Sequence, residues 1–90
     1  MKTINFTKTA FSEYNSWRNE NRKMQDKIAD LIEDILRHPF EGMGKPEPLR
    51  HHLKGFWSRR INEEHRLVYE VTETAINIIS CKDHYFLFDK

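Results

Sequence analysis

The fold class this sequence predicts is α+β, with two N-terminal helices packed on one face of a twisted antiparallel sheet. Three observations predict it: a strict helical apolar rhythm from Met24 to Leu36, an aromatic helical face from Ala10 to Trp17, and three later strand-like runs joined by short polar turns. Ninety residues with no repeat, linker or low-complexity tract make a single domain over 1–90, with room for one modest core.

Taken in order, Lys2 to Phe6 alternates polar and apolar residues and reads as a short first strand. Thr7 offers a hydroxyl as N-cap, and Ala10, Phe11, Tyr14 and Trp17 follow at three- and four-residue spacings on one helical face. Asn19 to Asn21 interrupts that pattern with side chains that compete for backbone hydrogen bonds and cap well. In the second helix Met24, Ile28, Leu31, Ile32, Ile35 and Leu36 line one side. Lys23, Asp26, Lys27, Asp30, Glu33 and Asp34 take the other, which reads as a solvated face. Pro39 ends this helix at or before His38.

From Phe40 to Leu49, Gly42, Gly44, Pro46 and Pro48 preclude regular structure. The two prolines push Lys45 and Glu47 toward extended backbone. Strands are expected at Phe56 to Asn62, His65 to Thr72 and Ala75 to Lys82, turning at Glu63-Glu64 and Glu73-Thr74. In the first of these, Trp57, Arg59 and Ile61 point one way and Ser58, Arg60 and Asn62 the other. In the second, Leu67, Tyr69 and Val71 oppose Arg66, Val68 and Glu70. One sheet face should take the helices and leave the other for a ligand.

Charge is unevenly spread. The chain is nearly neutral at +1, yet Lys45 to Arg66 holds six Lys and Arg against three Glu. Such a concentration makes a local anion-binding face, with phosphate the natural anion and Phe56, Trp57 and Tyr69, set among the charges, available to stack on bases. Trp57 is nonetheless expected in the core, and Arg59 and Arg60, on pattern alone, are surface charges of an edge strand. One cysteine, Cys81, allows no internal disulfide and sits among apolar neighbours as a buried thiol. The absence of an apolar run in MKTINFTKTA predicts no membrane and a reducing cytoplasm.

The histidines, His38, His51, His52, His65 and His84, lack the spacing of a zinc site, and no P-loop, dinucleotide fingerprint or nucleophile elbow occurs. No metal and no cofactor are therefore expected. RNA can be cut without either, because its own 2′-hydroxyl can attack the adjacent phosphorus. That reaction needs a base for the hydroxyl, a cation for the crowded phosphate and an acid for the departing 5′-oxygen. Glu47, Arg66 or Arg60, and His84 are residue types that suit those tasks. His51, His52 and His65 read as turn residues with local hydrogen-bonding roles, and Glu63 and Glu64 as a solvated hairpin tip.

The run PFEGMGKPEPLRHHLKGFWSRRINEEHRLVYEV, followed by Cys81-Lys82-Asp83-His84-Tyr85, resembles the YoeB/Txe toxins of bacterial toxin-antitoxin systems, a branch of the RelE-like ribonucleases. The resemblance implies a RelE-like microbial-ribonuclease fold and cleavage of mRNA in the ribosomal A site, blocking translation. By position, Glu47 matches the general base, His84 the general acid and Arg66 the cation at the scissile phosphate. Arg60 matches a second phosphate-binding arginine and Tyr85 the aromatic beside the acid. Arg50 stands where the family commonly has a lysine, with Lys45 nearby in the RNA-binding loop. The implied partners are a YefM/Axe-like antitoxin, the 70S ribosome and mRNA, with a homodimer left open. Family members often end near the His-Tyr pair, whereas Phe86 to Lys90 follow here, three of them apolar and expected to pack on the sheet or at a subunit contact. The competing reading is a RelE-fold toxin that binds gyrase or the ribosome without cutting.

Overall fold

In the computed structural model, which describes residues 2–83, the element order is β1 (Thr3–Phe6), α1 (Lys8–Glu20), α2 (Arg22–Arg37), β2 (Glu47–Pro48), β3 (Phe56–Arg60), β4 (Arg66–Val71) and β5 (Ala75–Ser80), with one 3₁₀ turn at His51–Leu53. Thr7 caps α1 as its spacing predicts, its hydroxyl accepting the Ala10 amide at 3.0 Å. Asn21 serves both helices. Its N–H closes α1 on the Trp17 carbonyl, and its side chain opens α2 by accepting the Lys23 amide, so one residue turns the chain without a loop.

The apolar stripe of α2 is buried as expected, with Ile28, Leu31 and Ile35 fully inside; such a side chain contributes about 1.5–3 kcal/mol on burial. It meets Ala10 and Trp17 of α1 and, from the sheet, Leu67, Tyr69, Ile76 and Ile78, so Tyr69, fully buried under the helices, has no face left for stacking on a base. Phe11 departs from expectation. It is 58% exposed, because the Ala10–Tyr14–Trp17 stripe faces the sheet and Phe11 falls on its solvent rim.

The five strands form one sheet in the order β1-β5-β4-β3-β2. The hairpins β3–β4 and β4–β5 are antiparallel, as the short polar turns require. β1 adds parallel to β5, so the sheet is mixed: the long excursion through both helices lets the first strand return along the free edge of the last. Phe6 at its end packs on Tyr14, ring centroids 5.7 Å apart. A bulge breaks the β4–β5 register, with Tyr69 opposite Ile78 but Val68 opposite Ser80. The extra residue turns Ser80 onto the face of Val68, away from Ile76 and Ile78.

Candidate active site

The loop before β2 is held by a close approach to β3. Gly44 has φ +78, its carbonyl accepts the Arg60 amide at 2.7 Å, and an added Cβ would lie 2.9 Å from the Arg60 carbonyl oxygen. Only glycine fits there. Lys45 then turns left-handed at φ +52 instead of extending, since the Gly44–Arg60 contact overrides the local preference before Pro46. Glu47 is extended as expected, and more: it belongs to a two-residue edge strand where loop was anticipated, paired with Ser58 of β3.

Register decides which side chains meet. Residues directly opposite on antiparallel strands share a face, so Glu47, Ser58, Val68 and Ser80 form one row across the sheet. Two residues along, Arg60 pairs with Arg66 on that same face. The helices cover the other face, occupied by Trp57, Arg59, Leu67 and Tyr69. Arg60 is exposed, whereas Arg66 is only 8% exposed and its Nη1 donates to the Asn62 (2.8 Å), Glu63 (3.2 Å) and His65 (3.2 Å) carbonyls of the β3–β4 turn. Like charges paired across a ladder disfavour each other, and the turn carbonyls take up the Arg66 guanidinium.

Arg59, one residue from Arg60, does something else entirely. Read from sequence as a surface charge, it is fully buried beneath the sheet. Its guanidinium donates to Asp34 at 2.6 Å, to the Met43 carbonyl at 3.1 Å, to the His38 and Glu41 carbonyls, and through Nε to the Tyr69 hydroxyl at 3.2 Å. The Tyr69 hydroxyl in turn donates to the Pro39 carbonyl at 2.7 Å. This cluster ties residues 38–43 to α2 and β3 and so fixes the approach to Lys45 and Glu47. Asp34 is therefore no part of a solvated face. The Arg59 hydrogen bond, with help from the Met43 amide, holds its carboxyl below the usual aspartate range. Burial pushes the Tyr69 phenol up, against the pull of Arg59.

A second set of contacts grips residues 81–83. The Trp17 indole donates to the Cys81 carbonyl at 3.0 Å, and the Cys81 amide donates to Glu13 Oε1 at 2.8 Å. Lys82 Nζ lies 2.6 Å from Glu20 and 4.8 Å from the Trp17 ring centre. The Asp83 amide donates to His65 Nδ1 at 2.7 Å, and its carbonyl accepts the Arg66 amide at 3.0 Å. Burial raises the Glu13 carboxyl above its ordinary value, offset in part by the Cys81 amide, while the Lys82 hydrogen bond lowers Glu20. Cys81 is buried, its thiol pushed up to about 12 by desolvation.

Of the site residues expected from sequence, the register brings Glu47, Arg60 and Arg66 to one face, with Lys45 beside them at the Gly44 contact. Arg50 is exposed at the other end of β2, where it precedes the 3₁₀ turn. His84, Tyr85 and the run Phe86 to Lys90 lie outside the described residues. Among the described residues, Glu64, His65 and Asp83 offer metal-type ligand atoms within 4.8 Å of one another, but His65 Nδ1 is already taken by the Asp83 amide. From sequence, Arg59 reads as a surface charge and His65 as a turn residue with a local hydrogen-bonding role, and Glu13 is not singled out, so the contacts these three make come from the structure. Arg59 and His65 share the strand parity of the core residues Ile61, Leu67 and Tyr69, which was the available clue; Glu13 gave none.

Fold and face together define a class: a small α+β domain with helices behind a mixed sheet and, on the other face, a carboxylate and two arginines paired across adjacent strands. Residues 6–85 match the family model of the YoeB-like toxin of bacterial type II toxin-antitoxin systems. Toxin YoeB of Escherichia coli K12 is 51% identical over 85 residues, covering 94% of this chain and all of that protein. Two solved structures from Staphylococcus aureus are similar: a YoeB dimer (TM-score 0.87, 47% identity, 93% of this chain and 98% of that one) and a YoeB-YefM complex (0.85, 48%, 94% and 99%). The chain belongs to the YoeB-like toxin family of type II toxin-antitoxin systems.

Proposed function

We propose that this toxin is a ribosome-dependent endoribonuclease that cuts mRNA in the A site and so stops translation. The supporting observation is the sheet register, which puts a carboxylate and two arginines on one face away from the helices. In this reading Glu47 takes the proton of the 2′-hydroxyl as its oxygen bonds to phosphorus. Arg66 and Arg60 hold the non-bridging oxygens as negative charge accumulates. His84 gives its proton to the 5′-oxygen as the P–O bond breaks, leaving a 2′,3′-cyclic phosphate and a 5′-hydroxyl. Every atom of this step comes from RNA and these side chains, so the reaction asks for no cofactor. Lys45, Arg50 and Tyr85 serve RNA binding. A YefM-like antitoxin is the proposed inhibitor and the cytoplasm the proposed location; the S. aureus YoeB dimer supports self-association.

Primer extension on a translated message, with and without 70S ribosomes, tests this. The wild type should cut at codon positions only with ribosomes, and Glu47→Ala, Arg66→Ala and His84→Ala should each lose about 10²- to 10⁴-fold in rate. Cuts on naked RNA would mean a free ribonuclease, and no cuts at all would mean a toxin that acts by binding alone.

A further inference from the structure

We infer that His65 is a positioning residue, whose imidazole Nδ1 holds the Asp83 peptide against the strand that carries Arg66. It thereby sets where the chain continues to His84 relative to the arginine. The inference rests on the reading of His84 and Arg66 as catalytic.

The geometry has three parts. First, Asp83 is gripped at both ends of its backbone by adjacent residues, His65 taking its N–H at 2.7 Å and Arg66 giving an N–H to its carbonyl at 3.0 Å. A residue held at both polar groups keeps one conformation, and this one is left-handed, φ +63, a region that aspartate tolerates better than most side chains. Second, the imidazole has little freedom. His65 is 9% exposed, and its ring stands edge-on to Trp17 at 4.8 Å between centroids, 79° between planes. The His65 backbone is held as well, its amide N–H donating to Asn62 Oδ1 at 2.7 Å and its carbonyl accepting the Ile61 amide at 2.9 Å. Third, the ring's protonation follows from its contacts. An Nδ1 that accepts a hydrogen bond carries no proton, so the neutral ring has its proton on Nε2, on the side of Glu64, whose Oε1 is 3.7 Å away.

Trp17 continues the same device. Its ring supports His65 on one side while its indole N–H binds the Cys81 carbonyl, so α1 and the β3–β4 turn together fix residues 81–83. A general acid has to lie within hydrogen-bond reach of its leaving group, and a displacement of about 1 Å can lower a rate about 100-fold. His65 touches no reacting atom in this arrangement; it acts through Asp83.

The test begins on the unaltered protein. In ¹⁵N-labelled wild type, a scalar coupling across the N–H···N bond should connect the Asp83 amide to His65 Nδ1, and its absence would overturn the inference whatever any variant does. Two substitutions then separate acceptor from bulk. His65→Phe keeps a ring against Trp17 without the acceptor; Asp83 amide exchange should quicken and kcat on ribosomes should fall about 10- to 100-fold, with KM changed less than about threefold. His65→Asn restores an acceptor near the Nδ1 position and should recover most of the kcat and the Asp83 protection. Equal loss in both variants would show that the ring's packing matters and the acceptor does not, and would overturn the inference, as would wild-type kcat in a folded His65→Phe. Should His65→Phe not fold, the coupling and the His65→Asn kcat decide. If the wild type makes no ribosome-dependent cuts, the catalytic reading fails, while the coupling and the exchange rates still decide whether His65 holds Asp83.

Discussion

Tyr69→Phe isolates one oxygen atom of the cluster behind the site. The ring is fully buried and the substitution keeps all of it, so packing against the core is unchanged. Two hydrogen bonds vanish: the one to the Pro39 carbonyl at 2.7 Å and the one from Arg59 Nε at 3.2 Å. Pro39 is half-buried and its carbonyl can recruit water, but the Arg59 side chain is wholly enclosed and its Nε cannot. Leaving a buried donor unmatched costs about 1–3 kcal/mol, more when the group is charged, so a destabilisation of about 2 kcal/mol is expected. For a domain of this size each kcal/mol moves Tm by about 4–8 °C. Urea unfolding followed by tryptophan fluorescence measures it, with the midpoint falling and the slope unchanged because the surface exposed on unfolding is the same. A loss below about 0.5 kcal/mol would mean that Arg59 does not depend on the hydroxyl, and the argument for a rigid approach to Glu47 would fail with it. The phenol's raised pKa fixes the sign at high pH: its contribution is complete below the ordinary tyrosine value of about 10 and is lost as pH climbs through the folded one.

Two carboxyls should give opposite trends in acid. Asp34 is depressed, so its contribution is present above the ordinary aspartate value and lost as pH falls through the folded one; the Tm gap between wild type and Asp34→Asn should be widest at neutral pH and close below about pH 4. Glu13 is raised, so its contribution is complete below the ordinary glutamate value and lost as pH rises; Glu13→Gln, which keeps an oxygen for the Cys81 amide, should equal or exceed wild-type Tm at pH 7 and lose that advantage toward pH 4. A Glu13→Gln protein clearly less stable at neutral pH would show that the charge itself is needed. Cys81, with its thiol pushed up to about 12, should resist iodoacetamide at pH 8 in the folded protein and react at the ordinary thiol rate in urea; rapid labelling without denaturant would contradict the burial.

Local pattern carried much of the fold. The rhythm from Met24 to Leu36 set α2 and its buried side, Thr7 and the Asn19–Asn21 segment marked the helix limits, the helix running on to Glu20, and the polar pairs Glu63-Glu64 and Glu73-Thr74 made the hairpins. Each depends on residues within a turn or two of one another, where spacing alone decides which side chains share a face. Strand parity went further, separating Arg59 from Arg60 and Leu67 from Arg66, although it could not say which side the helices would cover. The tertiary structure decided that, and with it why Arg59 is enclosed against Asp34 while its neighbour faces outward. It also decided that β1 returns parallel to β5, that Lys45 turns left-handed at the Gly44–Arg60 contact, and that His65 reaches Asp83. These outcomes join residues 16 to 72 positions apart, and a pairing at that distance is selected by the packing of the whole chain, which no local period encodes.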